Sequence, residues 1–473
     1  MIRKINFDTP KKLNFCLFKR LNESRSYGVL KKFYRSFQKC QHNESLYRTS
    51  RDICNKKSSR CFLYTGVVHG PRNARALCCQ LESGRGRTDG KKFVLGIETS
   101  CDDTGAAVVD ENGSVMGEAI HNQTKTHVQM GGIIPPLARD LHVQNIKGVV
   151  DTAMERAGMT LEVGLPTFSQ HLFFSGYTTE PGLCLYKIDK LHRIRSSELC
   201  MKPFIPIHHM EAHALTVRMI ENVEFPFLVL LISGGHCLLA VARGVDDFLL
   251  LGQSLDDAPG DAFDKVARRL KLRNIPEFES VSGGQAIETL AKLGNVEAVP
   301  FVAVMGRNRN CDFSFSGLKA KYKRLIESEE IRQGVAGGSI LPNAADICAS
   351  FQFHVLHHLS KRLQRALIFT EMNGYLPVEK TLVVSGGVAS NGFLRQGLEK
   401  MCSHYNCRLV CPPPKLCTDN GIMIAWNGME KLKLGIGMQD IDSVDVLGKS
   451  QLGEDISHEV EKATIKLRSV KLL

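Results

Sequence analysis

One strand–turn–strand pattern occurs twice in this chain, and it constrains the fold more than any other feature. The first copy covers residues 93–110 and the second covers residues 227–243, about 134 residues later. In each copy an apolar strand, a small polar turn and a second apolar strand are followed by a third β-like run (residues 115–120 and 248–252) and then by helical sequence. The repetition predicts an internal duplication of a β-β-β-α unit, and therefore two similar lobes.

A third glycine-rich turn strengthens this interpretation. A buried strand meets Gly386 and Gly387, and a helix is predicted to begin near Asn391. Such a strand–turn–helix junction presents free N–H groups where an anion can bind. Two duplicated ribonuclease-H-like lobes with glycine-rich turns facing one central cleft resemble the α/β fold of actin, sugar kinases and heat-shock ATPases.

Two histidines four residues apart form a candidate metal site. The sequence Met-Glu-Ala-His favours a helix, which would place His209 and His213 on one face with both rings able to reach one ion. His208 would lie about 100° round that helix as a packing or supporting residue. Glu211 would face away, and Met210 stands where an H-E-x-x-H zinc peptidase has its base. Taken alone, an H-x-x-x-H pattern is more often a solvated or core pair than a ligand pair.

Positive charge is concentrated at the N-terminus. Residues 1–92 carry 22 Lys and Arg against 6 Asp and Glu, whereas the remainder carries 39 against 43, and the whole chain has a net charge of +12. Few acids, many basic residues and serines, and no long apolar run are typical of a mitochondrial transit segment. We therefore expect a mitochondrial protein with lobes over residues 93–226 and 227–473. A disordered basic tail or an over-extended gene model is the alternative for residues 1–92.

Cysteine usage and apolar run length argue against two other classes of protein. Six of the 16 cysteines lie in the basic N-terminal stretch, and no C-x-x-C pair occurs. Reduced core thiols are therefore favoured over a disulfide framework or a zinc ribbon. No apolar run reaches the roughly 18 residues that a membrane span needs, so we predict none.

Eight motifs occur in the order found in the universal tRNA threonylcarbamoyladenosine transferases. They are GIETSCDDT (96–104), GGIIP (131–135), HHMEAH (208–213), SGGH (233–236), DDAPGDAFDK (256–265), DFSFSGLK (312–319), SGGVASN (385–391) and CTDNGIMIA (417–425). The chain resembles that family, and its mitochondrial branch in particular, from about Phe93 to the C-terminus.

The resemblance implies a reaction and a set of partners. A threonylcarbamoyl group would pass from threonylcarbamoyl-AMP to N6 of the adenosine 3′ of the anticodon (position 37), in mitochondrial tRNAs that read codons beginning with A. One divalent metal ion per subunit would be held by His209, His213 and Asp419, with zinc, iron and magnesium all left open. The implied partners are tRNA, a synthase that supplies threonylcarbamoyl-AMP, and a second copy of the chain in a homodimer.

The family's adenylate-binding positions also carry over. They map onto Leu231, Ile232, Ser233, Gly234, Gly235, Asp264, Gly284, Glu288, Ser390 and Asn391. Small residues let the backbone approach a phosphate, and the two carboxylates can accept hydrogen bonds from ribose hydroxyls. Asp264 could instead be an exposed helical carboxylate paired with Arg268. Asp102 and Asp103 are expected to face the same cleft.

The chain departs from the family between residues 161 and 201. The family has a strand, a Pro-Gly turn and a glycine-spaced apolar helix there, whereas this chain keeps Pro181-Gly182 and continues with a basic sequence that lacks those glycines. A mispredicted or alternative exon would explain the change, and a genuine segment would pack poorly behind His209. The family's Tyr-Pro-Gly-Gly is also altered, to Ser-Val-Ser-Gly-Gly at residues 280–284.

Three other functions stay open on the sequence. An actin-like ATPase or sugar kinase would use the same fold but give the two histidines no role. A metallopeptidase would lack its catalytic base. An inactive RNA-binding or scaffold protein would be compatible with the unusual segment.

Two basic runs, at residues 265–273 and 319–324, are ordinary solvated faces when read alone. In view of the resemblance they are candidate phosphate contacts.

Overall fold

Two mixed β-sheets form the framework of the chain. A computed structural model describes residues 91–130, 133–159, 171–178, 204–301, 303–438 and 450–472. All of them belong to one compact unit, from Arg87 to Leu473.

The first sheet has the strand order β3-β2-β1-β4-β5. Its strands are β1 (Lys92–Glu98), β2 (Asp103–Asp110), β3 (Val115–Asn122), β4 (His171–Thr178) and β5 (Phe204–Ile207). Strands β1 to β3 are antiparallel, whereas β4 runs parallel to β1 and β5 parallel to β4. Every residue of β1 after Lys92 is buried, as an uninterrupted apolar run covered on both faces requires.

The second sheet repeats this arrangement. Its strands are β6 (Phe227–Ile232), β7 (Cys237–Ala242), β8 (Phe248–Gln253), β9 (Lys380–Ser385), β10 (Cys407–Val410) and the two-residue β11 (Glu454–Asp455). Read from β8, the order is β8-β7-β6-β9-β10, again with three antiparallel strands followed by two parallel ones. The predicted duplication and the two-lobed, ribonuclease-H-like fold class are confirmed.

Helices cover both sheets. They are α1 (Thr124–Gln129), α2 (Pro135–Arg156), α3 (His209–Leu215), α4 (Pro259–Arg269), α5 (Gly283–Ala291), α6 (Ser316–Gln333), α7 (Ala344–Met372), α8 (Gly392–His404), α9 (Pro414–Cys417), α10 (Gly421–Leu434) and α11 (Ser457–Lys462). Short 3-10 turns occupy Thr216–Met219, Leu272–Asn274, Pro276–Phe278 and Gly387–Ser390. In the described part of the chain, none of these helices is long and apolar enough to cross a membrane.

Helix α3 lies between the two sheets. Its Ala212 joins the apolar cluster that packs α10 against β1 and β2, whereas its Met210 and Leu215 join the cluster on β6 and β7. Helix α10 comes late in the chain, yet it packs on the first sheet and also contacts α3. The histidine motif is thereby held at the junction of the lobes.

The atypical stretch from 161 to 201 is mostly outside the described residues. Strand β4 is its described part, and it pairs with β1 from Lys92 opposite His171 to Gly96 opposite Ser175. The altered sequence therefore still supplies the strand that the topology needs.

Candidate metal centre and adjoining cleft

The histidine motif forms the short helix α3, as its residues predict. His209 is the first helical residue, and both His209 and His213 are buried. His208 precedes the helix and caps it, since its side chain accepts a hydrogen bond from the backbone N–H of Met210 at 3.2 Å. The expected position of His208 within the helix is therefore wrong, because a side-chain acceptor at the N-cap satisfies an otherwise unpaired N–H.

Asp419 reaches the two histidines from the far end of the chain. His213 Nε2 is 3.0 Å from Asp419 Oδ1 and 3.2 Å from His209 Nε2, and His209 Nε2 is 3.5 Å from the same carboxylate oxygen. The residue lies in the turn between α9 and α10, where the side chain of Asn420 caps α10 by accepting from the N–H of Met423. Three candidate ligands predicted from the sequence thus converge on one point.

The spacing of these three atoms fits a metal ion. Ligand atoms about 2.0–2.1 Å from one ion at tetrahedral angles lie about 3.4 Å apart, close to the separations found here. Within the described residues, His209, His213 and Asp419 are the group of ligand-type side chains close enough to share an ion. Two imidazoles and one carboxylate leave at least one coordination position for substrate.

Glu98, at the end of β1, supports the first ligand. Its Oε2 lies 3.4 Å from His209 Nδ1, and its other oxygen accepts from the backbone N–H of Ser100 at 2.6 Å. A carboxylate beside Nδ1 favours the tautomer that carries the proton there, which directs the lone pair of Nε2 toward the other ligands. Sequence analysis did not single out Glu98, although a carboxylate ending a wholly apolar strand was a usable signal.

The charges around Asp419 favour its ionised form. Burial opposes ionisation, but His209, the hydrogen bond and charge of His213, and His236 outweigh it and hold the pKa of Asp419 well below its ordinary value. The carboxylate is therefore available as a ligand across the physiological pH range.

A second acidic pair borders the centre, as expected for Asp102 and Asp103. Burial, followed by the charges of Asp102, Asp419 and Glu98, raises the pKa of Asp103 to about 8. Burial and Asp419 also raise the pKa of Asp102. Four carboxylates share this region, and a cation would relieve their mutual repulsion.

The glycine turn of the second lobe adjoins the metal centre. Leu231 and Ile232 end β6, and the turn Ser233-Gly234-Gly235 leads to His236, whose ring centroid is 6.5 Å from that of His209. A Cβ at either glycine would meet nothing within 4 Å, so a ligand can approach this backbone closely. His236 is a second residue that the sequence analysis missed, although it ends the quoted SGGH motif.

Two further glycines and the predicted residue Asn391 lie near this turn. Gly260, at the start of α4, donates its N–H to the Ser233 carbonyl at 3.1 Å, and Gly386 adopts a φ of +96° that lets its backbone pass against the carbonyl of Ile232. The Asn391 side chain caps α8 by accepting from the N–H of Leu394.

Glu288 and Asp264 hold backbone groups in the same region. Glu288 accepts from the N–H of Gly392 at 2.8 Å, which joins α5 to the start of α8 and so to Ser390. The Asp264 carboxylate accepts from the N–H of Gly283, next to Gly284. These two carboxylates therefore each have a backbone partner, beside the predicted Gly284 and the start of α8.

The geometry argues against a peptidase base at Glu211 and against phosphate contacts at several of the basic residues. Glu211, the acidic residue of the helix, forms a half-buried ion pair with Lys431 at 2.7 Å and so faces away from the metal centre as predicted. Many of the basic residues nominated as phosphate contacts are neutralised: Lys265 and Lys319 pair with Asp257, and Arg269 and Lys271 pair with Glu330.

The repeated sheet of three antiparallel and two parallel strands places the protein in the actin, sugar-kinase and heat-shock ATPase fold class, and the His/His/Asp cluster lies beside its glycine turn. The family model described as TsaD, tRNA N6-adenosine threonylcarbamoyltransferase, matches residues 114–163 and 197–426. The chain belongs to this family and is therefore a transferase. The model's gap at 164–196 falls inside the stretch that departs from the family pattern.

Animal relatives agree with this membership. A Xenopus tropicalis protein is 49% identical over 391 residues, which is 81% of this chain and 93% of the relative. Proteins of Mus musculus and Homo sapiens are each 51% identical over 384 residues, 80% of this chain and 91% of the relative. All three are named "tRNA N6-adenosine threonylcarbamoyltransferase, mitochondrial", and the predicted mitochondrial location is confirmed.

Proposed function

We propose that the chain transfers a threonylcarbamoyl group from threonylcarbamoyl-AMP to N6 of the adenosine 3′ of the anticodon (position 37) in mitochondrial tRNAs that read codons beginning with A. The observation that carries the proposal is the convergence of His209, His213 and Asp419 beside the open Ser233–Gly235 turn, in a chain of this family. A new C–N bond forms at the carbamoyl carbon, and the bond from that carbon to the phosphate oxygen breaks to release AMP.

His209, His213 and Asp419 hold one divalent cation in this proposal. When bound, the cation supplies Lewis-acid chemistry to the carbamoyl carbonyl and offsets charge on the departing phosphate. Glu98 keeps His209 in the required tautomer, and the cleft orients the weakly nucleophilic amine against the carbonyl. Asp102 and Asp103 border the centre and are the carboxylates placed to accept the proton that the amine loses.

The donor binds along the second lobe in this scheme. The backbone of Ser233, Gly234 and Gly235 receives the phosphate, and Leu231 and Ile232 position that turn. Asp264 and Glu288 still have free acceptor capacity for ribose hydroxyls, because each carboxylate oxygen carries two lone pairs. Gly284, Ser390 and Asn391 complete this side of the cleft.

Residues 1–92 serve as the mitochondrial presequence in this proposal, and residues 93–226 and 227–473 as the lobes. A synthase supplies the threonylcarbamoyl-AMP. The active form is a homodimer in this proposal, which is supported by apolar exposure on the first lobe: among the described residues, seven of the sixteen exposed large apolar side chains lie between Val115 and Val143. Sedimentation of wild type and of Ile120→Glu tests the homodimer. A monomeric wild type would contradict it.

One assay tests the reaction and the metal assignment together. Labelled threonylcarbamoyl-AMP and unmodified tRNA are incubated with wild type, His213→Ala and the control His404→Ala, an exposed histidine, each with and without added divalent metal. We expect label on tRNA with wild type and the control in the presence of metal, and none with His213→Ala. Full transfer by His213→Ala would contradict the metal assignment, and ATP consumption without tRNA would favour a kinase.

A further inference from the structure

Positive charge is segregated onto one face of the second lobe. Residues 298–326 and 347–370 carry nine Lys and Arg against one acidic residue, Asp312. From residue 93 onward the chain as a whole has more acidic than basic residues, 43 against 39. The excess on this face is therefore a local feature and does not follow from the overall composition.

An exposed aromatic side chain, Phe301, lies among these basic residues. Phe301 is 43% exposed, and its ring centroid is 4.2 Å from that of His357 and 5.2 Å from that of the buried His354, both on α7. Lys321 of α6 donates to the carbonyl of Pro300 at 2.6 Å and so lies next to the ring. One side of Phe301 is thus backed by other rings while the ring remains accessible to a ligand.

The loop that follows is fixed along α7 by two buried arginines. Arg362 donates to the carbonyls of Met305 at 3.1 Å and Asn308 at 3.2 Å, and Arg365 donates to that of Asn310 at 2.6 Å. These bonds hold the exposed residues between the anchored carbonyls beside α7. Burial, then the neighbouring Arg365, lowers the pKa of Arg362 to about 10, so it keeps its charge at neutral pH.

The exposed cations of this face have no acidic partners. Among the residues that the structure describes, the exposed Arg307, Arg309 and Arg324 and the half-buried Lys361 form no ion pair, unlike Lys265 and Lys319 nearby. We call the following set the basic face: Phe301, Arg307, Arg309, Lys321, Arg324 and Lys361.

We propose that the basic face binds the tRNA substrate, with its cations on backbone phosphates and Phe301 stacked against an unpaired base. This inference rests on the proposed function, because it takes tRNA to be the acceptor. Lys and Arg that lack carboxylate partners gain most from a polyanion, and an exposed aromatic ring accepts any base by stacking. RNA loops, unlike RNA duplexes, offer such bases.

The basic face is joined to the cleft by a chain of contacts. Ser314, at the start of α6, donates its hydroxyl to Asp256 at 2.5 Å and its N–H to His358 at 3.2 Å. Asp256 lies just before α4, whose Gly260 contacts the Ser233 turn, while His358 is next in sequence to His357, whose ring contacts Phe301. RNA held on the basic face would therefore lie beside the lobe that takes the donor.

Equilibrium binding of unmodified tRNA, by fluorescence anisotropy, tests the inference. We expect Phe301→Ala to weaken binding roughly 5- to 100-fold, and Phe301→Trp to retain it. An anticodon stem–loop should show the same loss, whereas a blunt duplex of equal length should bind wild type and Phe301→Ala alike. The control Val378→Ala alters an exposed apolar residue elsewhere and should bind like wild type.

The contribution of the basic residues to tRNA binding is measured from the salt dependence of the affinity. The double variant Arg307→Ala/Arg309→Ala should lower the slope of log affinity against log salt by about 1 to 2, while Lys400→Ala should leave it unchanged. In the transfer assay, the variants should raise KM for tRNA by a larger factor than they lower kcat, because their proposed contacts are with the acceptor.

Outcomes for the two proposals are distinguishable. If wild type modifies tRNA and the variants bind it equally well, the basic face inference is overturned, and an acidic protein becomes the better partner for this face. If wild type transfers no label but its tRNA binding depends on these residues, the reaction proposal fails and the binding inference stands. Thermal unfolding of each variant checks that loss of binding is not loss of fold.

Discussion

The carboxylate of Glu98 lies 3.4 Å from Nδ1 of His209, on the opposite side of the ring from the nitrogen that faces His213 and Asp419. The first lobe thereby contributes to the candidate metal centre through its central strand as well as through α3. An imidazole with a carboxylate behind it is both oriented and made more basic.

Glu98→Gln should therefore weaken divalent metal binding by roughly 10- to 100-fold without abolishing it, because the amide keeps the shape but not the charge behind His209. Titration against a chelator of known affinity measures this. Glu155→Gln alters an exposed carboxylate of α2 and serves as control. Equal affinity in Glu98→Gln and wild type would exclude this supporting role.

Asp103 predicts a pH-dependent stability. Its pKa is about 8 in the folded chain against an ordinary value of 3.8, so between these limits the folded state binds more protons than the unfolded state and loses stability as pH rises. Asp103→Asn removes this titration. In metal-free protein, the Tm of the variant relative to wild type should increase steadily from pH 4 to pH 8.

The control for that measurement is Asp246→Asn, which changes an exposed aspartate that has no ion pair among the described residues. A Tm difference for Asp103→Asn that stays constant across the same pH range would show that its carboxyl titrates normally.

Asp256 caps helix α6 from another part of the chain. Its carboxylate accepts from the N–H groups of Phe315 and Ser316 and from the hydroxyls of Ser314 and Ser316. Asp256→Ala should cost about 1–2 kcal/mol in urea unfolding, against little change for Asp246→Ala.

The same hydrogen bonds predict how the effect of Asp256→Ala on stability changes at low pH. Although partial burial works against it, these hydrogen bonds lower the pKa of Asp256 to about 2. The stability difference between wild type and Asp256→Ala should be fully present above pH 4 and shrink as pH falls toward 2. A difference that persists at pH 2 would assign the loss to packing instead.

Two glycines allow a matched test of the contact between the first sheet and α10. A Cβ at Gly96 would lie 2.2 Å from the backbone nitrogen of Ala425 and 2.4 Å from the carbonyl oxygen of Gly421, so Gly96→Ala should destabilise the fold by about 3 kcal/mol or more. At Gly148, inside α2, a Cβ would meet nothing within 4 Å, and Gly148→Ala should stabilise the chain by about 0.5–1 kcal/mol. Similar stabilities of the two variants would contradict this close packing.

The sequence predicted features that depend on local pattern and missed those that depend on distant partners. Strand duplication and the convergence of His209 with His213 follow from periodicity, which short segments display. Glu98 could not be assigned to His209 because 111 residues separate them, and Lys319 seemed free until folding brought Asp257 beside it. His208 was misplaced because helix boundaries depend on caps that periodicity does not define.

Asp419 lies 206 residues beyond His213. During synthesis from the N-terminus, His209 and His213 are made long before Asp419. A partly synthesised or truncated chain can therefore offer a metal ion only these two histidine ligands of the three. Under the proposed metal assignment, capture of the ion requires synthesis past residue 419, and a translation product that stops earlier would lack the third ligand even if its first sheet had assembled.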